Sequence, residues 1–222
     1  MGNIISGYKH IIWDWNGTLL DDADVSVEVM NRLLKRRNMP PLTVDKYKEI
    51  IDFPIIKYYI RLGFDFSLEP FDKISVEFIQ EYNNSCKSTN LHHYAEAVLG
   101  LFKSSGLSQS ILSAAHQDYL EWYVTYFGIR DYFIGLIGLD HIHATSKIDN
   151  GRRWLEQLPY TPEEVLLIGD TVHDYEVSRE IGCDCILVAN GHHSINRLKN
   201  CSCKIHNSLN SIFRNEYEAL AT

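Results

Sequence analysis

Asp14, Asn16, Thr18, Ser113, Lys147, Asp170 and Asp174 are the residues whose types and settings suit chemistry. Asp14 lies in Trp13-Asp-Trp-Asn-Gly-Thr-Leu-Leu-Asp-Asp22, directly after an apolar run, and Asn16-Gly17-Thr18 reads as a turn. Asp170 ends the run Val165-Leu-Leu-Ile-Gly-Asp170, and Asp174 follows four residues later. Ser113 closes Ile111-Leu-Ser113, while Lys147 stands before a helix signalled by Asp149, Asn150 and Gly151. Neighbouring carboxylates repel unless a cation sits between them, and magnesium takes oxygen ligands while keeping several waters. A carboxylate also attacks phosphorus, splitting one difficult displacement into two through an aspartyl-phosphate. A lysine ammonium then neutralises the equatorial phosphoryl oxygens and a serine hydroxyl donates a hydrogen bond to one of them.

These residues need elements to hold them together. Short apolar runs at residues 11–15, 110–113, 133–139, 165–169 and 185–189 are each followed by a polar or glycine-containing turn and then by helical periodicity. That is the rhythm of an α/β fold with a parallel sheet. Ligands in such sheets bind outside the carboxyl ends of the strands, so Asp14, Ser113 and Asp170 are expected to share one crevice. Roughly ninety residues separate the first two runs, too many for a single crossover, which predicts an insertion. The inserted stretch reads as helical: Val25, Val29, Leu33 and Leu34 share a face, Pro40-Pro41 ends that helix, Thr43 caps a second, and Pro70 to Tyr82 forms another. Tyr58, Tyr59, Phe64, Phe66 and Phe71 are expected to form the core of this smaller unit.

The 222 residues suffice for one sizeable domain carrying a smaller inserted one, and 45% hydrophobic with 23% charged residues is an ordinary globular composition. A net charge of −8 argues against nucleic acid as a partner, and the short basic run Lys35-Arg36-Arg37 is expected to be solvated. No apolar run is long enough for a membrane span and no leader pattern opens the chain, so a cytoplasmic protein without membrane contact is expected. The pairs Cys183-Asp-Cys185 and Cys201-Ser-Cys203 are closely spaced, but Cys185 opens an apolar run, so packing as small hydrophobes is favoured over zinc. His92-His93, His141, His143 and His192-His193 are expected on loops, with His192-His193 at a strand's end on the crevice side.

Asp14-Trp-Asn-Gly-Thr18, Ser113, Lys147 and Gly169-Asp-Thr-Val-His-Asp174, in that order, resemble the haloacid dehalogenase superfamily of hydrolases. The resemblance implies a Rossmann-like parallel-sheet core formed by residues 1–21 and 94–222, with an α-helical cap over residues 22–93 like that of phosphoglycolate phosphatases. It implies a magnesium-dependent phosphatase acting on a small phosphorylated metabolite through an aspartyl-phosphate. Asp14 would be nucleophile and metal ligand; Asp170 and Asp174 would serve the metal directly or through water. Thr18, Ser113, Ala114 and Lys147 would hold the phosphoryl group. One position departs from the pattern: the family's phosphatases carry an aspartate two residues after the nucleophile to protonate the leaving group, and here Asn16 stands there. An amide cannot exchange a proton in that way, although its backbone carbonyl still suits the metal and its NH2 can hydrogen-bond a leaving oxygen. Three explanations stay open: a phosphatase for good leaving groups or with another proton donor, His116 and His173 being nearby candidates; a slow enzyme or phospho-ligand binder; or a changed residue, by substitution or by deamidation of Asn16-Gly17. The sequence leaves the oligomeric state open.

Overall fold

A computed structural model describes residues 5–85, 88–139 and 147–220. A six-stranded parallel sheet, in the order β5-β4-β1-β6-β7-β8, forms its centre. The strands are β1 (His10–Trp13), β4 (Ser108–His116), β5 (Gly135–Leu139), β6 (Val165–Gly169), β7 (Asp184–Val188) and β8 (Lys204–His206). The first strand and β6 are buried along their whole length. That is why both read as unbroken apolar runs rather than as alternation.

Alternate residues of β1 serve the two faces. Ile11 and Trp13 pack with Val98, Phe102, Leu120, Val124 and Ile212 from α5 (Ala95–Ser104), α6 (Gln117–Tyr126) and α10 (Leu209–Leu220). Ile12 packs on the other side with Val177 and Ile181 of α8 (Val172–Ile181), beside α7 (Ile148–Gln157). Trp13 lies level with Ile111 of β4 and Ile168 of β6. Register therefore brings the residues that follow these three positions to one edge of the sheet. Cys183 and Cys201 are buried in apolar clusters, with Cys185 and Cys203 packed alongside, and all four are free thiols.

Between β1 and β4 lie α1 (Ala23–Arg36), α2 (Val44–Ile50), α3 (Ile56–Leu62) and α4 (Phe71–Ser85). They build a separate apolar cluster from Val29, Met30, Leu33, Leu34, Tyr47, Tyr58, Tyr59, Phe64 and Ile74. The chain enters and leaves this unit through a two-stranded antiparallel ribbon, β2 (Leu20–Asp21) against β3 (Asn90–Leu91). Thr43 caps α2 through Lys46 N, as its type predicts. Helix α1 stops at Arg36, ahead of the prolines, because Asn38 takes a left-handed conformation (φ 53°) and the N–H groups of Arg37 and Met39 return to Leu34 O.

The basic run is not simply solvated. Arg36 pairs with Glu77 at 2.6 Å, and Arg37 pairs with Glu69 at 2.7 Å and Glu77 at 2.5 Å, tying α1 to α4. Four of the expected strands differ in extent: β1 spans 10–13 rather than 11–15, β4 108–116 rather than 110–113, β5 135–139 rather than 133–139, and β7 184–188 rather than 185–189.

His10, fully buried in β1, lies 2.7 Å from the hydroxyls of both Ser108 and Ser110. Burial pushes its imidazole down from 6.5 to about 4. The unfolded chain therefore takes up a proton that the folded chain refuses. The His10 contribution is complete above pH 6.5 and lost as pH falls toward 4, in total on the order of 3 kcal/mol for a shift of this size. His193 and His206 are shifted downward by burial as well. Urea denaturation at pH 7 and pH 4.5 should show a smaller loss of stability in His10→Gln than in wild type; equal losses would contradict this.

Candidate active site

The first carboxylate is set by the sheet. Asp14 directly follows β1, and its N–H donates to Ile168 O at 2.9 Å. Asp170 follows β6, and Thr171 begins α8 with its side chain accepting from Asp174 N. Asp174 returns the cap, one carboxylate oxygen accepting from Thr171 N at 3.0 Å and from Thr171 Oγ1 at 2.6 Å. Its position three residues into the helix is the reciprocal arrangement expected of a capping box. The four-residue spacing to Asp170 is thus a strand end followed by the first turn of a helix.

One oxygen from each of Asp14, Asp170 and Asp174 lies within 4.8 Å of the others, and all three residues are buried. Lys147, at the N-cap of α7 and 2% exposed, stands between two of them. Its Nζ is 2.6 Å from Asp14 Oδ1 and 2.6 Å from Asp174 Oδ1, and it donates to Leu112 O at 3.1 Å. Burial raises the Asp14 carboxyl, assisted by Asp174 and opposed by Lys147, to about 6. Burial also raises Asp170 well above the carboxylate range, with His192 opposing and the negative charges of Asp14 and Asp174 adding to it. Burial acts in the same sense on Asp174, but Lys147 outweighs it and holds that carboxyl at about 2.

Three buried carboxylates facing one ammonium leave an excess of negative charge. The donors are hard oxygens converging on one point, which is what a magnesium-like cation takes. Asp14, Asp170 and Asp174 therefore fit such an ion.

Thr18 lies 3.0 Å from Asp14 Oδ2 and 2.9 Å from Asp170 Oδ1, so its hydroxyl bridges two carboxylates. Ser113 is fully buried and its Oγ accepts from Ala115 N at 3.0 Å, which leaves the hydroxyl proton to donate. Ala114 lines the adjoining cavity. The predicted set Asp14, Asn16, Thr18, Ser113, Ala114, Lys147, Asp170 and Asp174 thus gathers at one end of the sheet.

Asn16 engages a second set of groups, centred on Asp22. Its Nδ2 donates to Asp22 Oδ2 at 3.0 Å and to Tyr82 OH at 2.8 Å, and Tyr82 OH donates to Asp22 Oδ2 at 2.5 Å. Asp22 Oδ1 accepts from Gly17 N at 2.8 Å and lies 3.3 Å from His192 Nε2. His192 Nδ1 in turn meets Tyr47 OH at 2.8 Å, and its backbone N–H donates to Asp170 Oδ2 at 2.5 Å. An acid just ahead of a helix is ordinarily a solvated dipole partner, but Asp22 is 1% exposed and its side chain makes no cap bond.

Burial works against charge on both members of the Asp22–His192 pair. His192, Tyr82 and Asn16 nevertheless hold Asp22 below its usual range, and Asp22 foremost pushes His192 up to about 9. The pair is ionised at neutral pH. The position of His192-His193 after β7 was the available signal for this contact; nothing in Asp21-Asp22 told which acid turns inward.

Of the two histidines considered as proton donors, His116 caps α6 through Asp118 N and lines the cavity. His173 stacks on Phe53 with ring centroids 5.0 Å apart, and burial lowers its imidazole. His92 reaches Gly17 O at 3.0 Å, while His141 and His143 lie outside the described residues. Gly17 has φ 78°, and a Cβ there would collide with Asp170 and the His192 ring. Only glycine permits the turn and that close approach together.

Residues 11–188 match the family model for haloacid dehalogenase-like hydrolases, and the chain belongs to that family. It is 23% identical to N-acetylmuramic acid 6-phosphate phosphatase of Pseudomonas aeruginosa over 83% of this chain and 83% of the relative. It is 21% identical to phosphoglycolate phosphatase of Rhodobacter capsulatus, covering 82% and 84% of the two chains. Protein tyrosine kinase A (PtkA) of Mycobacterium tuberculosis shares the fold, with a TM-score of 0.79 at 19% identity, over 95% of this chain and 99% of that one.

Removing one member of a buried ion pair strands the other charge, typically at a cost of about 3–5 kcal/mol. Asp22→Ala is accordingly expected to lower the free energy of unfolding at pH 7 by about that much. Chemical denaturation measures it, and a loss below about 1 kcal/mol would show the pair to be solvated like a surface contact.

Proposed function

We propose that the protein is a magnesium-dependent phosphatase that hydrolyses a small-molecule phosphate monoester through an aspartyl-phosphate at Asp14. The observation that carries this is the buried group of Asp14, Asp170 and Asp174 around Lys147, opening onto a cavity. Membership of a hydrolase family, with relatives named as phosphatases, supports the same reading.

Attack by an Asp14 oxygen forms a P–O bond while the ester P–O bond breaks, and the electron pair leaves with the alcohol oxygen. Water then adds to phosphorus and the electron pair of the acyl phosphate bond returns to Asp14. One proton of that water stays on the inorganic phosphate and the other reaches the departed alkoxide through solvent. Lys147 orients Asp14 and balances equatorial charge, and the Ser113 hydroxyl donates to a phosphoryl oxygen. Asp14, Asp170, Asp174 and the Asn16 carbonyl would hold magnesium, which would supply Lewis-acid stabilisation of the phosphoryl charge.

Residues 22–93 act in this reading as a cap closing over the site. The substrate is a small phosphorylated metabolite and the compartment is the cytoplasm, for which free cysteines are suited. No helix among the described residues is long and apolar enough to cross a membrane. A slow, phosphate-retaining variant of the same chemistry is the second reading. Asn16 favours it, because its amide is engaged by Asp22 and Tyr82 and cannot shuttle a proton.

Phosphate release across a panel of small esters tests the proposal. Wild type is expected to turn over at least one ester only with magnesium, and Asp14→Asn to abolish it. Asn16→Asp should raise turnover of alkyl esters by roughly 10²–10⁴-fold, the usual worth of general acid–base catalysis. Release that survives Asp14→Asn would overturn the nucleophile assignment, and activity confined to Asn16→Asp would favour the second reading.

A further inference from the structure

The cavity beside Asp14 and Lys147 has a volume of about 190 Å³ and runs from the carboxylate cluster into the helical unit. Met30, Ile55, Tyr58, Phe78 and Ile79 line it from the helical unit and Tyr119 lines it from α6. A dry apolar cavity of about 150 Å³ holds a benzene ring, so a single aromatic ring fits this space.

Its charge pattern is selective. Among the described residues no arginine lines it, and Lys147, its one lysine, is already shared by Asp14 and Asp174. Asp22 and His192 are closed on each other at 3.3 Å, and the other lining histidines, His116 and His173, lie 3.8 Å from Asp118 and 3.6 Å from Glu176. A second anionic group on the substrate would be desolvated here with no unshared cation beside it among the described residues, which costs affinity.

Asn16 adds an independent constraint. Its amide donates to Asp22 and Tyr82 and has no acidic proton to give, so the leaving oxygen departs without the proton that an aspartate at this position would supply. A phenolate, whose conjugate acid has a pKa of about 10, can leave in that way far more readily than an aliphatic alkoxide. Resting on the phosphatase reading above, we propose that the substrate is the phosphate monoester of an uncharged phenol-like aromatic alcohol, with its ring between Phe78, Tyr119 and Tyr58. The phenolate takes the electron pair of the broken P–O bond and is protonated by solvent.

Binding and turnover are measured separately so that the two readings fail separately. Calorimetry with magnesium compares two non-hydrolysable probes, phenylphosphonate and phosphonoacetate. Phenylphosphonate is expected to bind about tenfold or more tightly than phosphonoacetate. Tyr119→Arg, at a position 41% exposed and so tolerant of change, should reverse that order by supplying the missing cation. Turnover should favour phenyl phosphate over 2-phosphoglycolate, and benzyl phosphate, equally aromatic but with an alkoxide leaving group, should bind well and turn over slowly. Equal or tighter binding of phosphonoacetate by wild type, or no binding of either probe, would overturn the proposal. The predicted binding order without turnover of any ester would overturn the phosphatase reading and leave the aromatic ligand class standing.

Discussion

The ammonium of Lys147, buried between Asp14 and Asp174, is the interaction on which the site depends. Each carboxylate alone would be driven to its neutral form by burial. Lys147 keeps Asp174 ionised at about 2 and restrains Asp14 at about 6, but it cannot serve Asp170 as well. That imbalance is affordable in a fold stabilised by continuous apolar strands on either side of β1. In the proposed function that surplus of buried oxygen donors is what a cation, and a ligand bringing its own phosphoryl group, would complete.

A second buried charge joins the sheet to the helices above it. Asp22 sits just ahead of α1, Tyr82 belongs to α4 and Tyr47 to α2, while Asn16 and His192 come from loops at the carboxyl ends of β1 and β7. These five residues make one hydrogen-bonded network across the helical unit and the sheet. Asn16 has a physical reason to be an amide there: Asp22 needs donors, and a second carboxylate at 3.0 Å would repel it. Asn16 thus helps to stabilise an acid at the junction of the sheet and the helical unit.

The sheet was legible where both faces of a strand are apolar. Val165–Gly169 appears with the bounds its composition predicts, and Asp170 follows from where that run stops. Asp14 and Lys147 could be placed because one follows a strand and the other begins a helix, whereas Ser113, expected at a strand's end, lies inside β4, which continues to His116. Edge strand β8 was not legible, since Lys204-Ile-His206 is three residues long with one apolar side chain. Asp22 was missed for a different reason: a run of acids before a helix is ordinarily a dipole partner, and only the tertiary approach of His192 and Tyr82 turns one of them inward. The aromatic cluster was read as core, and Tyr58 and Tyr59 are indeed buried there, yet both also face the cavity that adjoins Asp14.

The most direct test is uptake of beryllium fluoride, a mimic of the phosphoryl group, followed by native mass spectrometry and calorimetry with and without magnesium. Stoichiometric uptake that requires magnesium, and that is lost in both Asp14→Asn and Asp170→Asn proteins that remain folded, is the predicted result. Uptake that is independent of magnesium or unaffected by Asp14→Asn, or no uptake at all, would contradict the account of a carboxylate cluster built to receive a cation and a phosphoryl group together.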